Sequence, residues 1–194
     1  GDVGRPEGEG RGNPVELMPV HDELQEVGKL LSSGKPHEAV DRARGAVAMD
    51  PDNLVALRDL SRGLALTGQL DEAAAAAARA STLAPWSARA VAVLADIEFR
   101  RGDVERALDL ADRALEIDPD FVEARVDRSR YLAALGRSEQ AATELTTLLE
   151  VSPDDPWVTL RYVELVDLPA GAFDDAERRL RAVVSRNPSF VEAR

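Results

Sequence analysis

The residues best suited to acid–base or metal chemistry are sparse in this sequence. It contains no cysteine and two histidines, His21 and His37. The absence of cysteine excludes disulfides, thiolate zinc sites and cysteine nucleophiles. Neither histidine has a second ligand-type residue at a metal-site spacing, so we interpret both as solvent-exposed loop residues rather than catalytic or metal-binding ones. The sequence therefore predicts neither a metal site nor a cofactor.

Carboxylates are abundant, and paired acids could serve general acid–base catalysis. Many of them fall on segments that we interpret below as the outer, second helices of repeated hairpins. These acidic residues are Asp103, Glu105, Asp109, Asp112, Glu116, Glu139, Glu144 and Glu150. Because they are spread along a helix surface and do not converge on a pocket, they are typical of a solvated face. We predict that the chain is not an enzyme.

Composition and charge limit the classes of partner. The 194 residues are 44% apolar and 31% charged, which is typical of a soluble folded protein. The net charge of -12 argues against nucleic-acid binding, which requires clustered basic residues. No run of about 18 apolar residues exists, so no membrane span is predicted. The compartment is left open: cytoplasmic is the default, with export expected if the chain belongs to a larger secreted enzyme.

Residues 1–19 are predicted to be a flexible, glycine-rich leader or linker. Within them, "GEGRG" at residues 8–12 superficially resembles a phosphate-binding loop. No strand precedes it and no Gly-Lys-Ser/Thr follows it, so a linker is the better interpretation.

The rest of the sequence has a period of 34 residues, which must be recognised before secondary structure is assigned. Three residue types repeat in one register, with a single interval of 35 at the end. They are Pro51, Pro85, Pro119, Pro153 and Pro188, then Gly34, Gly68, Gly102, Gly136 and Gly171, then Ala39, Ala73, Ala107, Ala141 and Ala176. The chain is therefore predicted to be an array of about five similar units.

Each unit is predicted to be a helical hairpin. In one unit, residues 54–65 carry apolar side chains at helical spacing, and Gly68 is suited to a left-handed helix C-cap. A second helix opens with Asp71 and Glu72, which favour the positive end of a helix dipole. Ala73, Ala77 and Ala80 on this helix, with Ser61 on the first, allow the two backbones to approach closely. Ala95 is related in the same way to Ala107, Ala111 and Ala114. One hairpin buries too little apolar area to fold alone, so neighbours must complete the core.

This pattern resembles the tetratricopeptide repeat family. The third unit carries the family's small and apolar positions and its closing proline in Val91, Leu94, Ala95, Gly102, Ala107, Ala111, Ala114 and Pro119. The resemblance implies an all-α fold, an α-solenoid of about five stacked helix-turn-helix hairpins forming a right-handed superhelix. The units are about 20–53, 54–87, 88–121, 122–155 and 156–190, so the array spans 20–190.

Three units depart from the pattern. In the first, Glu23 and Glu26 occupy usually apolar positions, as in a terminal repeat with a polar face. In the fifth, "VDLPAGAFDDA" contains one extra residue, and Pro169 is expected to end the first helix early with a local irregularity. In the fourth, Arg125 and Arg128 replace large apolar residues, while Glu98 replaces an aromatic one in the unit before. Two alternatives are open: a buried ion pair of Glu98 with Arg125 or Arg128, or solvent exposure of all three side chains.

In members of the family, the first helices line a concave groove that binds other proteins. Carried onto this sequence, the groove comprises Arg58, Arg62, Arg89, Asp96, Phe99, Arg100, Val126, Arg130, Leu160, Arg161 and Glu164. The recurrent arginines predict a mixed groove with a basic centre, suited to an extended peptide with acidic residues. The alternative is that these arginines are merely exposed helical positions in an Arg-rich chain. The Lys and Asn residues of the family's chaperone-tail clamp are absent, so chaperone-tail binding is not predicted.

Three functional interpretations follow. The first is a protein-interaction module that binds a partner protein or peptide on its concave face. The second is the non-catalytic C-terminal region of a larger enzyme, because the leader and degenerate first repeat resemble the junction in bacterial sulfatase-type hydrolases. The third is self-association through an uncapped C-terminal end. "NPSFVEAR" at 187–194 repeats "DPDFVEAR" at 118–125, so residues 191–194 are expected to start a truncated sixth helix behind an apolar face.

Overall fold

A computed structural model describes residues 18–188 of the chain, and most of these residues are helical. In this part of the chain ten α-helices follow one another without a strand. They are α1 (Met18–Ser32), α2 (Pro36–Met49), α3 (Leu54–Leu66), α4 (Leu70–Leu83), α5 (Ala88–Arg101), α6 (Val104–Ile117), α7 (Val122–Ala134), α8 (Ser138–Val151), α9 (Pro156–Tyr162) and α10 (Phe173–Arg186). A π-helical turn, Val163–Asp167, continues α9. The all-α prediction is confirmed.

The turn inside each hairpin is closed by a glycine in the left-handed region. Gly102, which ends α5, has a φ of 91°. Across this turn the backbone N–H of Asp103 donates to the carbonyl of Glu98 at 3.0 Å, the six-to-one bond of a Schellman motif. Only glycine adopts this conformation without steric cost, which explains why glycine recurs with the period. Asp103 then caps α6 by accepting the N–H of Arg106.

Small residues hold the two helices of a hairpin together. Ala73 and Ala77 on α4 and Ser61 on α3 are fully buried, and Ala80 is nearly so. The Ser61 hydroxyl donates to the carbonyl of Arg58 at 2.7 Å, so its burial leaves no unpaired donor. Close packing of small side chains therefore forms the interior of the hairpin.

Successive hairpins stack into a solenoid. Each second helix from α2 to α8 contacts its own first helix and the first helix of the next hairpin, as α4 contacts α3 and α5. The first helices also contact one another in the order α1, α3, α5, α7 and α9. They therefore form one continuous surface, which we call the first-helix face.

The predicted irregularity in the fifth unit is a π-turn. The N–H of Leu168 donates to the carbonyl of Val163, five residues back, at 3.0 Å. A π-turn accommodates one additional residue in a helix, and this matches the single 35-residue interval between the glycines. The helix ends before Pro169, which has no N–H to continue it. Asp167 in this turn is buried and accepts a hydrogen bond from Arg179 at 3.1 Å.

The prediction that Glu98 pairs with Arg125 or Arg128 is wrong. Its side chain is only 3% exposed, but it pairs with Arg101 at 2.9 Å and Arg106 at 3.4 Å, within its own hairpin. Glu98 lies in the last turn of α5, next to the start of α6, and both arginines lie at that corner. Arg125 and Arg128 instead pair with Glu144 on α8, at 3.5 and 2.7 Å. They point toward the second helices, away from α5, and neither alternative of the sequence analysis holds.

The ends of the described region also bear on the predictions. His21 and His37 are exposed, as predicted, but they lie in α1 and α2 rather than in loops.

At the C-terminal end of the described residues, α10 contacts α9 and the π-turn, and its Phe173 is 66% exposed. Residues 1–17 of the predicted leader and the predicted truncated sixth helix lie outside the described residues, whereas residues 18 and 19, also predicted to be leader, already belong to α1. Across residues 18–188, no helix has both the length and the apolar character needed to cross a bilayer.

Candidate functional site

The first-helix face carries a cleft of about 270 Å³ between α3, α5 and the start of α7. We call it the first-helix cleft. Four of its residues belong to the predicted groove, namely Arg62, Arg89, Asp96 and Arg100. The other lining residues are Ala65, Leu66, Ala92, Val93, Ile97, Phe121, Glu123 and Asp127. The cleft therefore combines a floor of small and aliphatic side chains with a charged rim.

Two arginines on the rim are weakly engaged. Arg62 is exposed on α3, and among the described residues it has no ion-pair partner. The Arg89 guanidinium lies 5.3 Å from the ring centroid of Phe121 and 3.9 Å from a carboxylate oxygen of Glu123. The side chains of Arg89 and Glu123 are 61% and 64% exposed, so water screens this pair strongly. Both cations are therefore available to an external carboxylate.

The opposite side of the cleft is neutralised by an internal charge network. Asp96 accepts from Arg100 on the same helix and from Arg130 on α7, both at 2.7 Å. Arg130 also lies 3.3 Å from Asp127. Burial raises the pKa of Asp127, and nearby Asp96 adds to the rise while Arg130 opposes it. The predicted basic centre is therefore balanced by two carboxylates.

Aromatic rings fix the position of Arg130. Its guanidinium lies 4.6 Å from the ring centroid of Phe99, which in turn packs on Tyr131 with 4.8 Å between ring centroids. Tyr131 is fully buried, and burial, followed by the charge of Asp127, raises the pKa of its hydroxyl. Stacking of this kind removes conformational freedom from the arginine. Phe99 and Arg130, both predicted groove residues, do not line the first-helix cleft; Arg130 is linked to it through its hydrogen bond to Asp96.

The remaining predicted groove residues lie outside the first-helix cleft. Arg58 pairs with the buried Asp59 at 2.9 Å and lines a smaller, neighbouring cleft. Arg161 pairs with Glu164 on the next turn, and burial lowers the pKa of Arg161. Leu160 is partly buried. Val126 was predicted to line the groove but lies in the core with Leu145, Leu148 and Val158. Its place on α7 faces α8, which explains the difference.

Sequence reasoning missed Glu123, Asp127 and the apolar floor. A signal for the two carboxylates was present in the period, because Glu123 and Asp127 lie 34 residues after Arg89 and Val93, which also line the cleft. The apolar residues carried no such signal, since alanine and valine also fill the core of every hairpin. For metal chemistry, the described residues contain no group of three His, Cys, Asp or Glu side chains able to hold an ion.

Comparison with family models identifies the repeated unit. Two tetratricopeptide repeat models match, one at residues 98–161 and the other at 29–88 and 67–121. Together these matches run from residue 29 to residue 161 of the 194-residue chain. Comparison with curated proteins gives no match.

Solved structures support the same fold. The thermophilic TPR protein TTC0263 of Thermus thermophilus is 20% identical, with 90% of this chain and 94% of that chain covered and a TM-score of 0.80. PilF of Pseudomonas aeruginosa is 15% identical, with 88% and 77% covered and a TM-score of 0.70. YrrB, described as a TPR protein with an unusual peptide-binding site, is 15% identical, with 92% and 95% covered and a TM-score of 0.56. The 34-residue period, the stacked hairpins and these matches together show that the chain belongs to the tetratricopeptide repeat family.

Proposed function

We propose that this protein is a non-catalytic interaction scaffold whose first-helix cleft binds an extended, acidic segment of a partner protein. The observation that carries the proposal is the pair of weakly engaged arginines, Arg62 and Arg89, on the rim of a cleft with an apolar floor. Arginine binds carboxylates through charge-assisted, often bidentate hydrogen bonds. Apart from Glu123, which is weakly paired with Arg89, the other charges near the cleft are compensated internally, so these two arginines provide the accessible positive charge.

The peptide-binding site named for YrrB gives this proposal a parallel within the fold, and it remains a property of that protein. Extended segments suit such a cleft because their side chains alternate between the floor and solvent. No observation on the described residues favours the alternative of a C-terminal region of a sulfatase-type hydrolase.

The proposal can be tested with a peptide array and two charge-reversal variants. Arg62→Glu with Arg89→Glu alters the rim, while Arg79→Glu with Arg113→Glu makes the same change in net charge on the second helices α4 and α6. We expect the first variant to lose about tenfold or more in affinity for acidic peptides, because a hydrogen bond to a charged group contributes about 1.5–3 kcal/mol. The second variant should bind like the wild type. Equal losses in both variants would contradict a site at the cleft.

We also propose self-association through the end of the array, for which α10 supplies a specific observation. Leu168, Phe173, Leu180 and Val184 line an apolar depression beside this helix, and Phe173 is two-thirds exposed. Sedimentation velocity over a range of concentrations tests this. Phe173→Glu should shift the chain toward monomer, whereas Val151→Glu, at another exposed apolar residue, should not. A wild-type chain that stays monomeric at all concentrations would contradict this proposal.

A further inference from the structure

Arg89 lies where three adjoining clefts of the array meet. Besides the first-helix cleft, it lines an apolar cleft between α3 and α5 together with Leu54, Val55, Arg58, Ala80, Ser87, Ala90 and Val93. It also lines a third cleft together with Trp86, Ala88, Ile117, Asp118 and Phe121. Leu54 and Val55 are each 40% exposed and Trp86 is 73% exposed, so all three side chains are accessible to a ligand. The Arg89 cation is thus bordered on one side by an apolar cleft and on the other by a mainly polar cleft to which the exposed Trp86 contributes an apolar ring.

Glu123 is the carboxylate nearest to this cation in the free protein. Their closest atoms are 3.9 Å apart, beyond hydrogen-bond distance, and both side chains are mostly exposed. An acidic group entering the cleft would meet Arg89 and Glu123 together, because both line it. The arginine would attract this acidic group and the glutamate would repel it. Glu123 would therefore oppose the binding of an acidic ligand at Arg89.

We propose that Arg89 is the residue that selects an acidic side chain of the bound segment, and that Glu123 is its internal competitor. The segment would carry apolar side chains two positions before and two positions after the acid, in contact with the flanking clefts. In an extended chain, residues two apart face the same side, about 6.6–6.8 Å from each other. This inference rests on the proposed function and specifies the chemistry of the partner at the same site.

The probe that tests it is the peptide acetyl-Leu-Ala-Asp-Ala-Leu-amide. Two matched peptides replace the aspartate by asparagine or both leucines by alanine. Affinity is measured by NMR titration of the isotopically labelled full chain, with wild type, Arg89→Gln, Glu123→Gln and, as a control on α6, Arg113→Gln. Amide shifts report both where the peptide binds and whether each variant is folded.

We expect Glu123→Gln to bind the aspartate peptide about two- to fivefold more tightly than wild type, the range for an exposed ion pair. The asparagine peptide should bind both proteins equally. Arg89→Gln should lose the preference for aspartate, and Arg113→Gln should keep it. The alanine peptide should bind more weakly than the leucine peptide to every variant.

Each contrary result is decisive. Equal affinity of wild type and Glu123→Gln for the aspartate peptide would overturn the competitor role, and a retained preference in Arg89→Gln would overturn the selecting role. Equal binding of the leucine and alanine peptides, or no binding of any probe, would overturn the inferred pattern. The proposed function is tested separately by the peptide array described above. A loss of affinity for acidic peptides that is specific to Arg62→Glu with Arg89→Glu would support it even if the aspartate-and-leucine pattern failed.

Discussion

The Glu98 cluster should respond unequally to removal of its anionic and cationic members. Glu98 is 3% exposed, whereas its partners Arg101 and Arg106 are 37% and 57% exposed. In Glu98→Gln, both arginines can turn to water, and the loss is limited to partly exposed charged hydrogen bonds, about 1–2 kcal/mol. In the double variant Arg101→Gln with Arg106→Gln, the glutamate is left as an uncompensated buried charge, which costs about 3–5 kcal/mol.

Urea unfolding followed by circular dichroism at helical wavelengths measures this difference. The double variant should have a clearly lower midpoint than Glu98→Gln, and the triple variant should recover part of the loss because the buried charge is gone. Asp71→Asn is the matched control, since Asp71 contacts Arg101 at 3.0 Å but is 92% exposed. It should change the free energy of unfolding by less than about 0.5 kcal/mol. If Glu98→Gln proved as costly as the double variant, burial would not be the reason for the cost.

Three further predictions concern stability. A Cβ at Gly63 would lie 2.8 Å from Cγ2 of Val40. Gly63→Ala should therefore destabilise the chain by about 1–2 kcal/mol, even though alanine has a better helix propensity than glycine. In a Val40→Ala background, the cost of Gly63→Ala should largely disappear. Asn53→Ala should cost about 1 kcal/mol in urea unfolding, because the Asn53 side chain accepts two N–H groups at the start of α3. Burial raises the pKa of Asp127 in the folded chain above its ordinary value of 3.8. The Asp127 carboxyl therefore ionises at a lower pH in the unfolded chain than in the folded chain, and the free energy of unfolding falls as pH rises from the unfolded-state pKa to the folded-state pKa. Asp127→Asn should therefore gain stability relative to wild type as pH rises from about 3.5, and a stability difference that did not change with pH would contradict the shift.

The internal period accounts for how much of the fold could be predicted. Glycine at the hairpin turn and alanine at the helix contact each have one physical role, so their recurrence identified the hairpins and the stacking. Even the irregular fifth unit was marked by one extra residue and Pro169. The position and hydrogen bonding of the π-turn, however, depend on how α9 packs against its neighbours.

The candidate site was predicted less completely. The position of Arg62, Arg89, Asp96 and Arg100 on the first helices followed from the repeat register. Their state of pairing did not, because an arginine side chain reaches several carboxylates and the sequence does not rank them.

The sequence by itself determined the unit, its length and the helix faces, because turn and contact positions admit few residue types. Tertiary structure alone decided which charges are compensated. It placed Glu98 against its own hairpin, turned Arg128 toward α8, and left Arg89 weakly held beside Glu123. The physical reason is that ion pairing depends on distances of a few ångströms and on local burial, and neither quantity is encoded in a residue's position along the chain.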